Sequence, residues 1–196
     1  TDLINRLLVP TKKHYIIDVA GMIDENKVLI KNFASGVDGK KLYDGVWFVD
    51  NDEVEELYYK KMGPVVYVEG SFDLFNPYHI SVLEELKFKG LEILVGVYRD
   101  GVEQTSMDLL QRSLCVLQCK YVDAVVIGVG KDEALPGFDI KERFNVSEGF
   151  VNEFDELNQN GISKRIQDHY ELYVERQRKK GVKHELEQEL EKNSNR

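Results

Sequence analysis

The chain has 196 residues, 42% hydrophobic and 31% charged, the profile of a soluble globular domain with some peripheral chain rather than of a disordered or membrane-spanning one. Its formal charge of −9, from 26 basic and 35 acidic residues, disfavours a broad phosphate-tracking surface, and nucleic acid is not an expected partner; basic residues cluster only weakly, at Lys12-Lys13 and from Arg176 to Lys180. No apolar run approaches the roughly 20 residues that cross a bilayer, and the first residues have neither a signal-peptide core nor a transit-peptide composition, which points to the cytosol.

Thr1 to Leu8 reads as a short capped helix with Leu3, Ile4, Leu7 and Leu8 as its apolar residues, and the missing initiator Met reads as a fragment or a processed chain. From 9 to 62, Gly21, Gly36, Gly39 and Gly45 interrupt short apolar stretches and an acidic run covers Asp50 to Glu56, so a linker with short elements is expected. Order becomes legible from Pro64. Val65 to Val68, Ile93 to Val97 and Ala124 to Ile127 are near-continuous apolar runs, as parallel strands covered on both faces require. Ile80, Leu83 and Leu86 fall at helical spacing between the first two runs, and Met107, Leu110, Leu114, Leu117 and Tyr121 form a stripe between the last two. Strand-helix-strand-helix-strand predicts an α/β fold, a doubly wound parallel sheet with flanking helices.

Lys131 to Asn145, with Pro136 and Gly137, shows no stripe for a third crossover helix. From Gly161 a long helix is expected, its apolar face carried by Ile162, Ile166, Tyr170 and Tyr173 as packing residues. The domain proper is placed at 63–180, and 181–196 is a polar tail. Cys115 and Cys119 lie four apart in the second apolar stripe and read as core thiols, since no further ligand sits at metal-site spacing. His14, His169 and His184 have no ligand-spaced partners and read as surface residues.

The segment leaving the first strand, Glu69-Gly70-Ser71-Phe72-Asp73-Leu74-Phe75-Asn76-Pro77-Tyr78-His79, resembles the Gly-x-Phe-Asp-x-x-His-x-Gly-His run of the nucleotidyltransferase superfamily, with Gly70, Phe72, Asp73 and His79 in register. The stretch Gln111 to Asp123 is similar to the Glu-Arg-Thr-Leu-x-Val-Leu-x-Cys-Arg-Tyr-Val segment of ethanolamine-phosphate cytidylyltransferases. Those enzymes carry two such domains in tandem. Residues 1–8 resemble the helix closing the first domain, and Glu175 to Lys180 echo the family's final helix.

The resemblance implies a Rossmann-like nucleotidyltransferase fold and a reaction in which phosphoethanolamine attacks the α-phosphorus of CTP, with Mg²⁺ as its metal, giving CDP-ethanolamine for phosphatidylethanolamine synthesis. Positioning and charge stabilisation carry such chemistry without a covalent intermediate. By resemblance the nucleotide-binding candidates are Gly70, Ser71, Phe72, Asp73, Asn76, His79 and Arg112, with His79 as the catalytic candidate and no metal ligand of this chain's own. The sequence also departs from the pattern. Asn76 stands for the first motif His and cannot become cationic, Tyr78 stands for Gly, and Pro77 removes a backbone donor. No lysine lies between Arg99 and Arg112, and only Gly161-Ile162-Ser163 echoes the family's Thr/Ser helix cap, where Asn158 or Asn160 caps instead.

The expectation is a carboxy-terminal domain whose own site is degenerate. Turnover then belongs to an upstream catalytic cytidylyltransferase domain, and this domain serves as a structural or regulatory partner. An active nucleotidyltransferase of altered substrate choice, and a non-enzymatic ligand-sensing or dimerisation module, are the competing classes. His79 divides between phosphate donor and cap or core residue, Arg112 between nucleotide contact and salt bridge, and Asp73 is assigned to backbone bonding ahead of Mg²⁺.

Overall fold

In the computed structural model, which describes residues 2–8, 11–36, 44–172, 174–176 and 178–181, six strands form one sheet. They are Gly45–Asp50 (β1), Glu53–Tyr58 (β2), Val65–Gly70 (β3), Glu92–Tyr98 (β4), Ala124–Val129 (β5) and Ile140–Asn145 (β6), in the order β2-β1-β5-β4-β3-β6. Every neighbouring pair is parallel except β1 with β2. The helices are Asp2–Leu8 (α1), Val19–Phe33 (α2), Pro77–Lys87 (α3), Leu109–Leu117 (α4) and Gln159–Asp168 (α5), and residues 170–172, 174–176 and 178–181 are also helical. The arrangement is α/β and Rossmann-like. No helix among the described residues is long and apolar enough to cross a membrane.

The three apolar runs are β3, β4 and β5, buried nearly throughout because both sheet faces are covered. One face packs against α2, α3 and α4 through Ile23, Ile30, Val82, Leu83, Leu86, Leu109 and Val116. The opposite face is closed by Trp47, Tyr67, Leu94 and Tyr98 with Leu135 and Phe138 from the β5–β6 connection. Each fully buried aliphatic side chain contributes about 1.5–3 kcal/mol.

Residues 9–62, expected as a linker with short elements, contribute a 15-residue helix and two strands, and β1 pairs directly with β5 inside the sheet. The acidic run that suggested a linker is a hairpin: Asp50 pairs with Glu53, and the two-residue turn Asn51-Asp52 takes positive φ at both positions (48° and 63°), as a twisted antiparallel pair favours. Residues 9–10 and 37–43 lie outside the described residues.

Other differences are local. Residues 131–139 form no helix, in keeping with the missing stripe, but 140–145 become the edge strand β6, with Lys141 and Glu142 exposed. The inner face of α4 is Leu109, Arg112, Ser113, Val116 and Leu117, with Leu110 and Leu114 only half-buried, so the predicted stripe is rotated. Ile80 points outward, and Val82 takes its place in the core. Cys119 is buried just beyond α4 and Cys115 is half-buried. Helix α5 begins two residues earlier than Gly161, capped by Asn158, whose Oδ1 accepts the Gly161 N–H at 2.9 Å. Tyr170 is exposed rather than packed, and Tyr173, His184 and the tail from 182 lie outside the described residues.

Candidate functional site

Strands β3, β4 and β5 step one way across the sheet, and the chain then crosses back to lay β6 on the far side of β3. Strand order therefore switches between β3 and β6, and ligands of open α/β sheets bind beyond the carboxyl ends at such a switch. The motif loop leaves β3 there. Its backbone is held in a sparsely populated conformation, with φ of 50° at Phe72 and 51° at Leu74, at a typical cost of about 1–3 kcal/mol each. Full burial of the Phe72 ring and the bonds of its neighbour Asp73 offset that cost.

Asp73 is buried, and its two carboxylate oxygens accept the Ser106 and Met107 N–H groups at 2.8 and 2.9 Å, tying the motif loop to the β4–α4 loop. Arg112 is completely buried and has partners on all three guanidinium nitrogens. Nη1 donates to the Ser71 carbonyl at 2.5 Å, Nη2 to the Tyr98 carbonyl and to Asp100 Oδ1 at 2.8 and 2.7 Å, and Nε to the Met107 carbonyl at 3.2 Å. Asp100 completes its own set by accepting the Ile16 and Leu109 N–H groups on Oδ2, at 2.8 and 3.0 Å. A buried charge needs such satisfaction, because breaking one side leaves the other uncompensated. The salt-bridge reading of Arg112 is thus the one seen, and Asp100 is a network member that the sequence did not single out.

Asn76 is the N-cap of α3. Its Oδ1 accepts the Tyr78 N–H at 2.9 Å, and Nδ2 donates to the Leu74 and Leu157 carbonyls at 2.7 and 2.9 Å. His79 closes the capping box: Nδ1 accepts the Asn76 N–H at 3.3 Å, which puts the proton of the neutral ring on Nε2. The imidazole stacks on Phe75 with centroids 5.4 Å apart, and burial lowers its pKa to about 4, so it is neutral at physiological pH. A neutral ring supplies no positive charge to a phosphate and can act on one only as a hydrogen-bond donor through Nε2–H. Tyr78 does not stand in the cleft. It is buried and donates its hydroxyl to the Val146 carbonyl at 3.1 Å, pinning α3 to the end of β6. Gly70 is equally closed in, since a Cβ built there would lie 2.4 Å from Val146 Cγ1.

The structure therefore gathers Gly70, Ser71, Phe72, Asp73, Asn76, His79 and Arg112 at one end of the sheet, and it turns the polar groups of Asp73, Asn76 and Arg112, with Nδ1 of His79, onto the protein itself. Beside them lies a second polar cluster that sequence reasoning missed. Glu69 is buried; Oε1 accepts the Tyr98 hydroxyl and the Asp132 N–H, both at 3.1 Å, and Oε2 pairs with Arg143 at 2.8 Å. An acid inside an otherwise apolar strand was the available signal. His14 is also more than a surface residue, its Nε2 lying 2.9 Å from the Thr105 carbonyl, whereas His169 caps its own helical turn at the Arg165 carbonyl.

The charge at this end of the sheet is mixed, with Arg99 at the start of the β4–α4 connection. The β4–α4 connection carries Asp100, Glu103 and Asp108 and no lysine, and the motif acid Asp73 commits both oxygens to N–H donors. Among the described residues no group of three or more His, Cys, Asp or Glu is placed to hold a metal ion.

No protein-family model matches the chain. Individual relatives do. The protein named "Probable ethanolamine-phosphate cytidylyltransferase" in Schizosaccharomyces pombe is 26% identical over 227 aligned residues, covering 96% of this chain and 62% of that protein. The ethanolamine-phosphate cytidylyltransferase of Saccharomyces cerevisiae is 33% identical over 60% of this chain and 38% of its own length. That of Arabidopsis thaliana is 29% identical over 65% of this chain and 34% of its own length. The chain thus spans less than two thirds of the length of the curated relatives it matches.

Proposed function

We propose that this chain, which resembles ethanolamine-phosphate cytidylyltransferases along most of its length, is a non-catalytic cytidylyltransferase-like domain of a protein that makes CDP-ethanolamine and pyrophosphate from CTP and phosphoethanolamine. In that protein, a cytosolic enzyme of phosphatidylethanolamine synthesis, an upstream domain with an intact His-x-Gly-His motif performs the transfer, and Mg²⁺ acts there with CTP. The present domain is its structural or regulatory partner.

The observation that carries this reading is the internal engagement of the motif. Asp73, Asn76 and Arg112 direct their hydrogen-bonding groups, and His79 its Nδ1, to backbone atoms or to Asp100, so a nucleotide has to compete with the fold for them. A triphosphate brings about four negative charges, and placing them in a partly desolvated cleft without cationic or N–H partners costs several kcal/mol. Binding at that cost is too weak to support turnover.

Calorimetric titration of the chain with CTP and Mg²⁺, with ATP as control, tests the reading. No saturable heat up to millimolar CTP is expected. A dissociation constant below about 100 μM, or roughly −5.5 kcal/mol, refutes it and favours an active or sensing domain. Pyrophosphate release should likewise be absent with the chain alone and present with a longer protein that includes an upstream motif.

A further inference from the structure

Arg6 and residues 11–16 lie across the outer side of the β4–α4 loop, attached by hydrogen bonds. Arg6 Nη1 donates to the Ser106 carbonyl at 3.2 Å, and His14 Nε2 to the Thr105 carbonyl at 2.9 Å. The Thr105 N–H donates to Tyr15 Oη at 3.2 Å, and the Ile16 N–H to Asp100 Oδ2 at 2.8 Å. From the inner side the same loop is held by the motif, since the Ser106 and Met107 N–H groups go to Asp73. Ser106 is therefore bonded to the strap through its carbonyl and to the motif loop through its amide. Asp100 plays a similar part, binding the Ile16 N–H on one oxygen and, on the other, the Arg112 guanidinium that holds the Ser71 carbonyl.

We propose that Arg6 and residues 11–16 form a latch that makes the strap, the β4–α4 loop and the motif loop a single opening unit, so that a disturbance at Asp73 reaches the strap and a disturbance of the strap reaches Asp73. Two features make the unit a latch rather than a fixed wall. The strap adds little to the core: none of residues 11–16 is fully buried, Lys12 and Lys13 are exposed and Ile16 packs only partly, so polar bonds rather than apolar burial keep it in place. The closed arrangement is also imperfectly satisfied, because His14 Nδ1 and the Thr105 hydroxyl are buried without a hydrogen-bond partner. Opening exposes both to water, which lowers the net cost of release. The latch does not depend on whether the parent protein transfers cytidylyl groups, because it is a property of this chain's own bonds.

Residue-resolved amide hydrogen exchange on the whole chain tests it. Tyr15→Phe removes one hydroxyl, on a partly exposed ring, and leaves every core residue in place. If the unit opens together, the amides of Ser106, Met107 and Ile16, none of which bonds Tyr15, exchange about five-fold faster, the factor expected for the loss of one ordinary hydrogen bond, while amides within β3 and β5 keep their rates. If only the Thr105 amide accelerates, the latch is refuted. Asp73→Asn supplies the reverse arm: a faster Ile16 amide supports the coupling, and acceleration confined to Ser106 and Met107 overturns it. Should Asp73→Asn not fold, the Tyr15→Phe result decides alone.

Discussion

Replacing Arg112 with methionine keeps an unbranched stem of similar length and removes the guanidinium, so it isolates the polar work of that side chain. The substitution leaves the Asp100 carboxylate buried with two backbone N–H donors and no countercharge, and it strips the side-chain donor from the Ser71, Tyr98 and Met107 carbonyls. Breaking one side of a buried pair costs about 3–5 kcal/mol, and the two remaining donors to Asp100 hold the expectation near about 4 kcal/mol. That is a large part of the roughly 5–15 kcal/mol available to a domain, equivalent to a fall of about 8–16 °C in Tm. Trp47, the sole tryptophan and buried on β1, supplies the fluorescence signal for urea unfolding, where the midpoint should fall by about 2 M for an m-value near 2 kcal/mol/M. In a double-mutant cycle, Arg112→Met with Asp100→Asn should cost at least about 1 kcal/mol less than the sum of the single changes. If Arg112→Met unfolds within about 1 kcal/mol of the parent and instead abolishes measurable CTP binding, the reasoning fails and Arg112 is a ligand residue.

Three further outcomes are expected. Asn76→Asp keeps the acceptor for the Tyr78 N–H but loses the donors to the Leu74 and Leu157 carbonyls, and Asn76→Ala loses the cap as well; by thermal denaturation alanine should be the worse by about 1 kcal/mol. Gly70→Ala drives a methyl into Val146 Cγ1, and Val146→Ala leaves a cavity, so the double variant should be more stable than the sum of the two losses predicts in chemical denaturation. Stability against pH should show two opposed slopes. His79, lowered by burial to about 4, binds fewer protons folded than unfolded, so its contribution is present above about 6.5 and lost as pH falls to about 4, worth about 3 kcal/mol. Asp44, raised to about 7 chiefly by burial and further by Asp123 against the opposing Lys60, binds more protons folded; its contribution is full below about 4 and lost as pH rises through 7, worth about 4 kcal/mol. The two cancel across most of that window. Asp44→Asn should therefore uncover a rise in stability from pH 4 to 6.5, and a denaturation series that shows no pH-dependent difference between Asp44→Asn and the parent would sink the assignment.

What the sequence made legible follows from how each element is buried. Strands β3, β4 and β5 are covered on both faces and so read as unbroken apolar runs, and the strand-to-helix turn at Gly70 to His79 was found from its residue types. Helix α2 was hidden because Val28 and Leu29 project outward at 75% and 38% exposure, blurring the stripe of Val19, Met22, Ile23 and Ile30. The β1–β2 hairpin lacked the usual glycine: Asn51 and Asp52 both tolerate the left-handed region through their short polar side chains, and among so many acids they looked like linker. Strand β6 lies at the sheet edge and alternates little, with Lys141 and Glu142 exposed and Arg143 turned to Glu69. For Arg112 the sequence offered a salt bridge as one of two readings but not its partners, which stand 41 residues back at Ser71 and 12 back at Asp100 and meet it only in the folded chain.

The motif's two halves then have different physical meanings. In the first half, which resembles the nucleotidyltransferase run, Gly70, Phe72 and Asp73 all have folding work to do: close approach to Val146, a buried ring at positive φ, and two backbone N–H groups to satisfy. None of this needs a ligand, so the fold requires those residues whether or not the domain binds nucleotide. In the second half, the departures Asn76 and Tyr78 are suited to the same end. An asparagine caps α3 and reaches Leu157, and a tyrosine fills the space beneath the helix and bonds the Val146 carbonyl. The loop that a triphosphate would order is ordered here by Asp73 and by the strap, which is why the sheet end stays assembled with an acidic β4–α4 connection in place of a basic one. Restoring histidine at position 76 and glycine at position 78 should accordingly lower stability without creating CTP binding, because Asp73 and Arg112 would remain committed to the fold.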